Sequence, residues 1–286
     1  MLCLLLALLA APPEDMAARV SRPVALRVPG MDKVRVQRDL VYDPGSGLRL
    51  DAYAPPRSGR HPVVVLLHGG VPDDVPVRPK DGGLYRSWGK LLAASSFATI
   101  IPNQRISFPD PRLPLAEQDV TNALTFIRGH AAQLSADPSR ICMVAFSAGG
   151  PLLAKFIRER PPDVRCLAAM YAFLDVRQSE PHRQHLSPAQ LDQFSPLVQM
   201  ERSGPRMAPM FVARAGNDEI PTLRDALDQF VSSALVHDAP IRLVNVSGIE
   251  HGSRSMTIPE CARRSVRSCD SLPSTSSAAE RRFAVQ

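Results

Sequence analysis

An apolar run, Ile141-Cys142-Met143-Val144, leads through Ala145-Phe146-Ser147-Ala148-Gly149 into a helix-like stretch from Leu152 to Arg160. A strand, a sharp turn and a helix in immediate succession require the turn to be tight and its flanks to pack closely. Small residues two positions either side of the apex serine allow this, and the turn lifts the Ser147 hydroxyl above the end of the strand, where a nucleophile is presented. A serine buried in a glycine-rich turn reads the same from the pentapeptide alone. Other parts of the chain have to discriminate between the two.

Three further segments bear on that choice. Val63 to Leu67 is unbroken apolar sequence suited to a strand buried on both faces, and it ends in His68-Gly69-Gly70, whose backbone amides are unshielded by side chains. Gly69 and Gly70 are therefore candidate oxyanion-hole donors. Met210 to Ala213 reads as another strand, delivering Gly216-Asn217-Asp218-Glu219 at its end and followed by Pro221 and an amphipathic helix to about Leu235. Ile241 to Val246 is a strand whose exit loop carries Ile249-Glu250-His251-Gly252. A carboxylate at Asp218 and an imidazole at His251 thus stand at strand tips, available as acid and base.

The chain order Ser147, Asp218, His251 differs from the chymotrypsin and subtilisin orders and resembles that of the α/β-hydrolases. From about Met31 to His251 the chain is similar to their serine esterase, acetyl-esterase and dienelactone-hydrolase-like group. Asp137-Pro138-Ser139-Arg140-Ile141, Asn103-Gln104-Arg105 and Asp119 also resemble that group. Ala145 departs from it by replacing the usual first glycine, and Ser253 stands where many members carry a bulky residue. The resemblance implies a mostly parallel central sheet with helices on both faces and leading antiparallel strands. It further implies a Ser-His-Asp triad of Ser147, His251 and Asp218 that cleaves a small-molecule ester through an acyl-enzyme, its oxyanion held by the backbone N–H of Ala148 plus that of Gly69 or Gly70, with no cofactor and no metal.

Periodicity supports the same fold class independently. Strand-like runs alternate with helical stretches, and Leu115, Val120, Ala123, Leu124, Ile127, Ala131 and Leu134 mark one face of a helix predicted over 115–134. Val34 to Val41 and Leu48 to Tyr53 read as a hairpin turning at residues 43–47. Leu167 to Leu174 reads as a further strand. Residues 31–252 are expected to form one α/β domain, since 286 residues hold no repeat and no second core. Residues 71–83 and 175–190 are polar and rich in Pro, Gly or charge, so both are candidate loops at the mouth of the site.

Several side chains have more than one reading. Asp175 and Glu219 are rival acids. His68 belongs to the turn, and His182 and His185 lie in a polar insertion where solvated side chains are the ordinary expectation, although they could line a pocket. Arg105 reads better as an ion-pair partner than as part of the mouth, and Trp88 better as core than as a ligand platform. Much of the net charge of +6 comes from arginines after His251, so nucleic acid is not an expected partner. The five cysteines show no metal-ligand spacing.

The ends are atypical. Leu2 to Ala11 is apolar, too short to span a bilayer, and signal-like without a basic start or a clear cleavage site; Met16 and Met31 are alternative starts. A cytoplasmic location is favoured, with secretion the alternative if residues 1–15 act as a signal peptide. Residues 253–286 are rich in Ser and Arg where the resemblance implies an amphipathic covering helix. Either a one-nucleotide frame shift just after Gly252 or a natural disordered tail accounts for this. The leading function is carboxylic ester hydrolysis. A peptidase or thioesterase shares the triad, a dienelactone hydrolase proper is disfavoured by serine at 147, and a non-catalytic hydrolase-fold protein is the reading from another class. Oligomeric state is left open.

Overall fold

The computed structural model describes residues 21–72, 78–108 and 110–253, so the signal-like segment, the alternative start at Met16, part of the 71–83 loop and the tail lie outside the described residues. Among the described residues the main sheet has eight strands: β1 (Arg35–Asp43), β2 (Leu48–Ala54), β3 (His61–Leu67), β4 (Ala98–Pro102), β5 (Ala136–Phe146), β6 (Val164–Met170), β7 (Met210–Ala215) and β8 (Ile241–Val246). Their spatial order is β1-β2-β4-β3-β5-β6-β7-β8. β1 and β2 pair antiparallel, as do β2 and β4, and every pairing from β4 onward is parallel. A separate parallel ribbon joins Val71–Pro72 to Ser107–Phe108.

The apolar run at β3 is continuous because both of its faces are covered. Val63, Val65 and Leu67 enter one core and Val64 and Leu66 the other, as the period of two along a strand requires. The first core is closed by helices α2 (Leu113–Gly129), α3 (Leu153–Glu159), α6 (Pro196–Ser203) and α7 (Pro221–Val236), and the second by α1 (Gly83–Ala94). Two short helices, α4 (Glu180–His185) and α5 (Pro188–Gln193), occupy the segment expected to be a mouth loop. From β3 the chain passes to β4 on one side, then crosses to β5 on the other. The ends of β3 and β5 therefore border the crevice where strand order reverses, the usual ligand position in an open α/β sheet. Among the described residues no helix is long and apolar enough to cross a membrane.

Two elements differ from their sequence-based boundaries. α2 begins at Leu113 and ends at Gly129, and Leu115 is 45% exposed because the buried stripe runs through Leu113, Ala116, Val120, Ala123, Leu124 and Ile127. His130 closes the helix with its ring stacked on Phe126 at 4.0 Å. Leu134 is buried by the following turn, where Ser135 takes φ 54° into β5. The strand expected over 167–174 spans Val164–Met170 instead. Tyr171 turns out of the ladder at φ 38°, and the Phe173 N–H donates to the Ser147 carbonyl at 2.9 Å. Residues 171–174 brace the serine turn and do not lengthen the sheet.

Lys80, in the predicted 71–83 loop, is fully buried. Its Nζ donates to Asp39 at 2.8 Å, to Asp51 at 2.9 Å and to Asp81 at 2.9 Å, which joins the loop to β1 and β2. Burial opposes the ammonium charge, but the three carboxylates outweigh it and hold the group above its ordinary pKa. Asp39 reaches this cluster from an irregularity in β1, at φ 55°, and its N–H donates to Asp51 at 3.0 Å. Lys80→Met is expected to destabilise the fold by about 3–5 kcal/mol in urea titration, because it strands the buried Asp51 carboxylate without its cation. A loss below about 1 kcal/mol would show that water or Arg38, 3.5 Å from Asp51, replaces the ammonium.

Candidate active site

Ser147 follows the last residue of β5 and opens a 3-10 turn, Ser147–Leu152, that runs into α3. Its φ is 50°, a left-handed conformation that costs a non-glycine residue about 1–3 kcal/mol and persists only where neighbours hold it. The neighbours are backbone. A Cβ on Gly149 would stand 2.6 Å from the His68 carbonyl oxygen, and one on Gly150 2.3 Å from that of Phe173. Both positions need glycine because the β3 exit and the Phe173 strap press directly on the turn. Ala145, the departure from the group pattern, sits fully buried within β5 in the first core and is accommodated there.

The other two candidates arrive on loops tied to each other. The Gly216 N–H donates to Val246 O at 2.8 Å and the Asn217 N–H to Ile249 O at 2.8 Å, which draws the β7 exit against the β8 exit. Asp218 then lies with Oδ2 2.8 Å from His251 Nδ1, and His251 Nε2 lies 2.8 Å from Ser147 Oγ. Asp218 and His251 are both buried. Asp218 Oδ1 accepts the Ile220 N–H at 3.0 Å, and the Glu219 carboxylate accepts the His251 backbone N–H at 2.9 Å. Glu219, a rival acid by sequence, thus holds the histidine's main chain. Tyr171 packs edge-on against the imidazole, with centroids 4.9 Å apart, and full burial raises its own hydroxyl well above the ordinary phenol range.

Asp175, the second rival acid, is buried but engaged elsewhere. Its carboxylate accepts from Arg177 at 2.9 to 3.2 Å and from Ser195 Oγ at 2.9 Å. Burial pushes its pKa up, and the Arg177 hydrogen bonds more than reverse this, so it is lowered. Arg105 forms the expected ion pair, 2.6 Å from Asp119, and Trp88 is core, 5.8 Å edge-on from Phe146. Of the two candidate histidines in the insertion, His185 is exposed as expected; His182 is buried against Phe173.

At the β3 exit, His68 Nδ1–H donates to Gly69 O at 2.7 Å while Nε2 accepts the Gln104 N–H at 3.2 Å. Burial drives this imidazole down to a pKa of about 4, so it braces the turn as a neutral ring. The Gly69 N–H donates to Tyr85 Oη at 3.0 Å. Gly70 and Ala148 border a cavity of about 430 Å³ beside Ser147, whose wall includes Ile106, Phe173, Ile220 and Leu223. Tyr85, Tyr171, Phe173 and Ser179 are site residues that sequence reasoning did not single out. Tyr85 could have been found, since it adjoins Leu84 on the apolar face of α1 with a polar tip that a buried position must satisfy.

A mostly parallel eight-stranded sheet covered on both faces, with Ser147, His251 and Asp218 in contact beyond its strand ends, is the α/β-hydrolase fold. Comparisons with known proteins agree with that fold. The BD-FAE family model matches residues 50–157. An Arabidopsis thaliana protein named "Probable isoprenylcysteine alpha-carbonyl methylesterase ICMEL1" is 30% identical over 129 residues, which is 44% of this chain and 25% of that protein. A second, ICMEL2, is 29% identical over 119 residues, 40% of this chain and 26% of its own length. The matches thus span about a quarter of the curated relatives. Among solved structures, the carboxylesterase EstE1, cloned from a metagenomic library, aligns with TM-score 0.63 at 21% identity, covering 89% of this chain and 91% of its own. The esterase of the archaeon Pyrobaculum calidifontis aligns with TM-score 0.60 at 20% identity over 89% of this chain and 87% of its own.

Proposed function

We propose that this protein is a serine carboxylic ester hydrolase that works through an acyl-enzyme on Ser147. The observation that carries the reading is the continuous contact from Asp218 Oδ2 through His251 to Ser147 Oγ, 2.8 Å at each link. With Asp218 accepting Nδ1–H, the Nε2 lone pair faces the serine and can take its proton as Oγ attacks the acyl carbonyl. The imidazolium then protonates the leaving alcohol, and a water deprotonated by the same ring releases the acid.

The oxyanion of the tetrahedral intermediate is assigned to the backbone N–H groups of Ala148 and Gly70. Gly69, a candidate by sequence, has its N–H directed to Tyr85 Oη and serves to hold the turn. Each such donor is worth about 3 kcal/mol in the transition state. The esterase names of the structural neighbours and the methylesterase names of the sequence relatives favour an ester substrate, and the apolar cavity wall suits an uncharged one.

Purified protein is expected to hydrolyse p-nitrophenyl acetate and butanoate with saturable kinetics well above buffer and above a heat-unfolded control. Background rates from protein that circular dichroism shows to be folded would favour the non-catalytic reading.

A further inference from the structure

The cavity beside Ser147 is interrupted by one polar ring. His182 borders it, although only 9% of the residue is exposed. Its imidazole lies nearly parallel to Phe173, with centroids 5.5 Å apart and planes at 17°, and Nδ1 stands 2.6 Å from Ser179 Oγ. Nε2 makes no hydrogen bond to any described residue and is not sealed from solvent. The ring is therefore fixed at its plane and at one nitrogen, and open at the other.

Ser179 makes the arrangement more pointed. It occupies the N-cap position of α4, where a serine hydroxyl ordinarily accepts an N–H of the first turn. Here it makes no such bond and goes to the imidazole instead. Burial first, and then the neighbouring His185, push the His182 pKa down to about 4, so the ring is neutral in ordinary buffers. A neutral imidazole has one N–H and one lone pair. A hydroxyl satisfies Nδ1 in either role, so Nε2 is a donor in one tautomer and an acceptor in the other. A carbonyl answers only the first tautomer and an ammonium only the second. A hydroxyl answers both.

We infer that His182, held by Ser179 and Phe173, is a specificity-determining residue that recognises a hydroxyl group carried on an otherwise apolar ester substrate. The inference rests on the ester-hydrolase reading and names the class of ester. The hydroxyl lies away from the scissile carbonyl, on a carbon framework that the apolar wall and a volume of about 430 Å³ accept. An ester lacking it enters the same cavity but offers Nε2 no partner of its own, which is the condition under which a site discriminates against the plain analogue.

The test uses matched ester pairs that differ only in a terminal hydroxyl. Hexyl and octyl butanoate are compared with 6-hydroxyhexyl and 8-hydroxyoctyl butanoate, and methyl hexanoate and octanoate with their ω-hydroxy counterparts, so that either side of the ester can carry the group. Wild-type protein is expected to favour the hydroxylated member of at least one pair by roughly 10-fold in kcat/KM, mostly through KM. In His182→Phe, which keeps an aromatic ring against Phe173, that ratio falls to about 1. Ser179→Ala lowers it less, and His182→Gln, which can both donate and accept, restores part of it. The ratio is read within each folded variant, so a general loss of activity does not imitate the effect. Wild-type ratios near 1 in every pair, with plain esters turned over, would overturn the inference and leave the hydrolase reading standing. A preference that survives both His182→Phe and Ser179→Ala would also overturn it. No turnover of any ester would remove both.

Discussion

Ser147→Ala is expected to lower kcat for a short-chain p-nitrophenyl ester by roughly 10⁵- to 10⁶-fold, with KM little changed. The substitution removes one oxygen, the atom 2.8 Å from His251 Nε2, and with it the covalent route. What remains is substrate binding and the two assigned backbone donors, which by themselves supply a residual about 10³- to 10⁴-fold over water. The fold should persist. Alanine at φ 50° bears the same strain as serine, and the pressure of His68 and Phe173 on Gly149 and Gly150 is unaltered. Kinetics beside circular dichroism and a thermal melt separate the two effects. A variant keeping more than about a tenth of wild-type kcat would place the nucleophile elsewhere or the hydrolysis outside this site.

Asp218→Asn is expected to cost about 10⁴-fold in kcat, and local geometry makes the sign of the effect definite. Asp218 Oδ1 accepts the Ile220 N–H at 3.0 Å. An amide in its place would keep its oxygen on that N–H and turn its NH₂ toward His251 Nδ1. It would then donate where the carboxylate accepts, forcing the proton onto Nε2 and removing the lone pair that faces Ser147. Asp218→Ala leaves the tautomer free and should therefore be impaired by a smaller factor. If the asparagine variant keeps kcat within about 10-fold of wild type, the ordering role assigned to this carboxylate is wrong.

The hydrolase architecture was legible because it rests on long, unambiguous patterns. Val63 to Leu67 has no polar residue since both faces are buried, and Ala145 to Gly149 admits little except a sharp strand-to-helix turn. Chain order at the ends of β5, β7 and β8 directs attention to Ser147, Asp218 and His251, whose side chains meet. Interactions between residues distant in sequence, with no periodicity to announce them, were not legible. Lys80 looks like one more charge in a polar loop, and only the approach of β1 and β2 turns it into a buried cation among three carboxylates. His182 looks solvated in a polar, proline-bearing stretch until Phe173 leaves the sheet and covers it.

At Leu115 and in the 171–174 segment the local pattern and the tertiary structure part for a different reason. Near-helical spacing places Leu115 on the same stripe as Val120 and Ala123, although Leu113 and Ala116 fit the buried face and Leu115 does not. The apolar run through Leu174 reads as a strand because run length carries no information about where pairing stops. Tyr171 adopts φ 38° and stops it there. Gly69 belongs with these, since equivalence to Gly70 in the sequence ends once Tyr85 takes one of the two N–H groups.

The central claim is that an acyl group passes through Ser147. The direct measurement is mass spectrometry of protein acid-quenched during turnover of p-nitrophenyl butanoate, followed by peptide mapping. The account predicts a butanoyl adduct on the peptide containing Ser147, present in wild type and absent from Ser147→Ala. Turnover with the butanoyl adduct on another residue would contradict it.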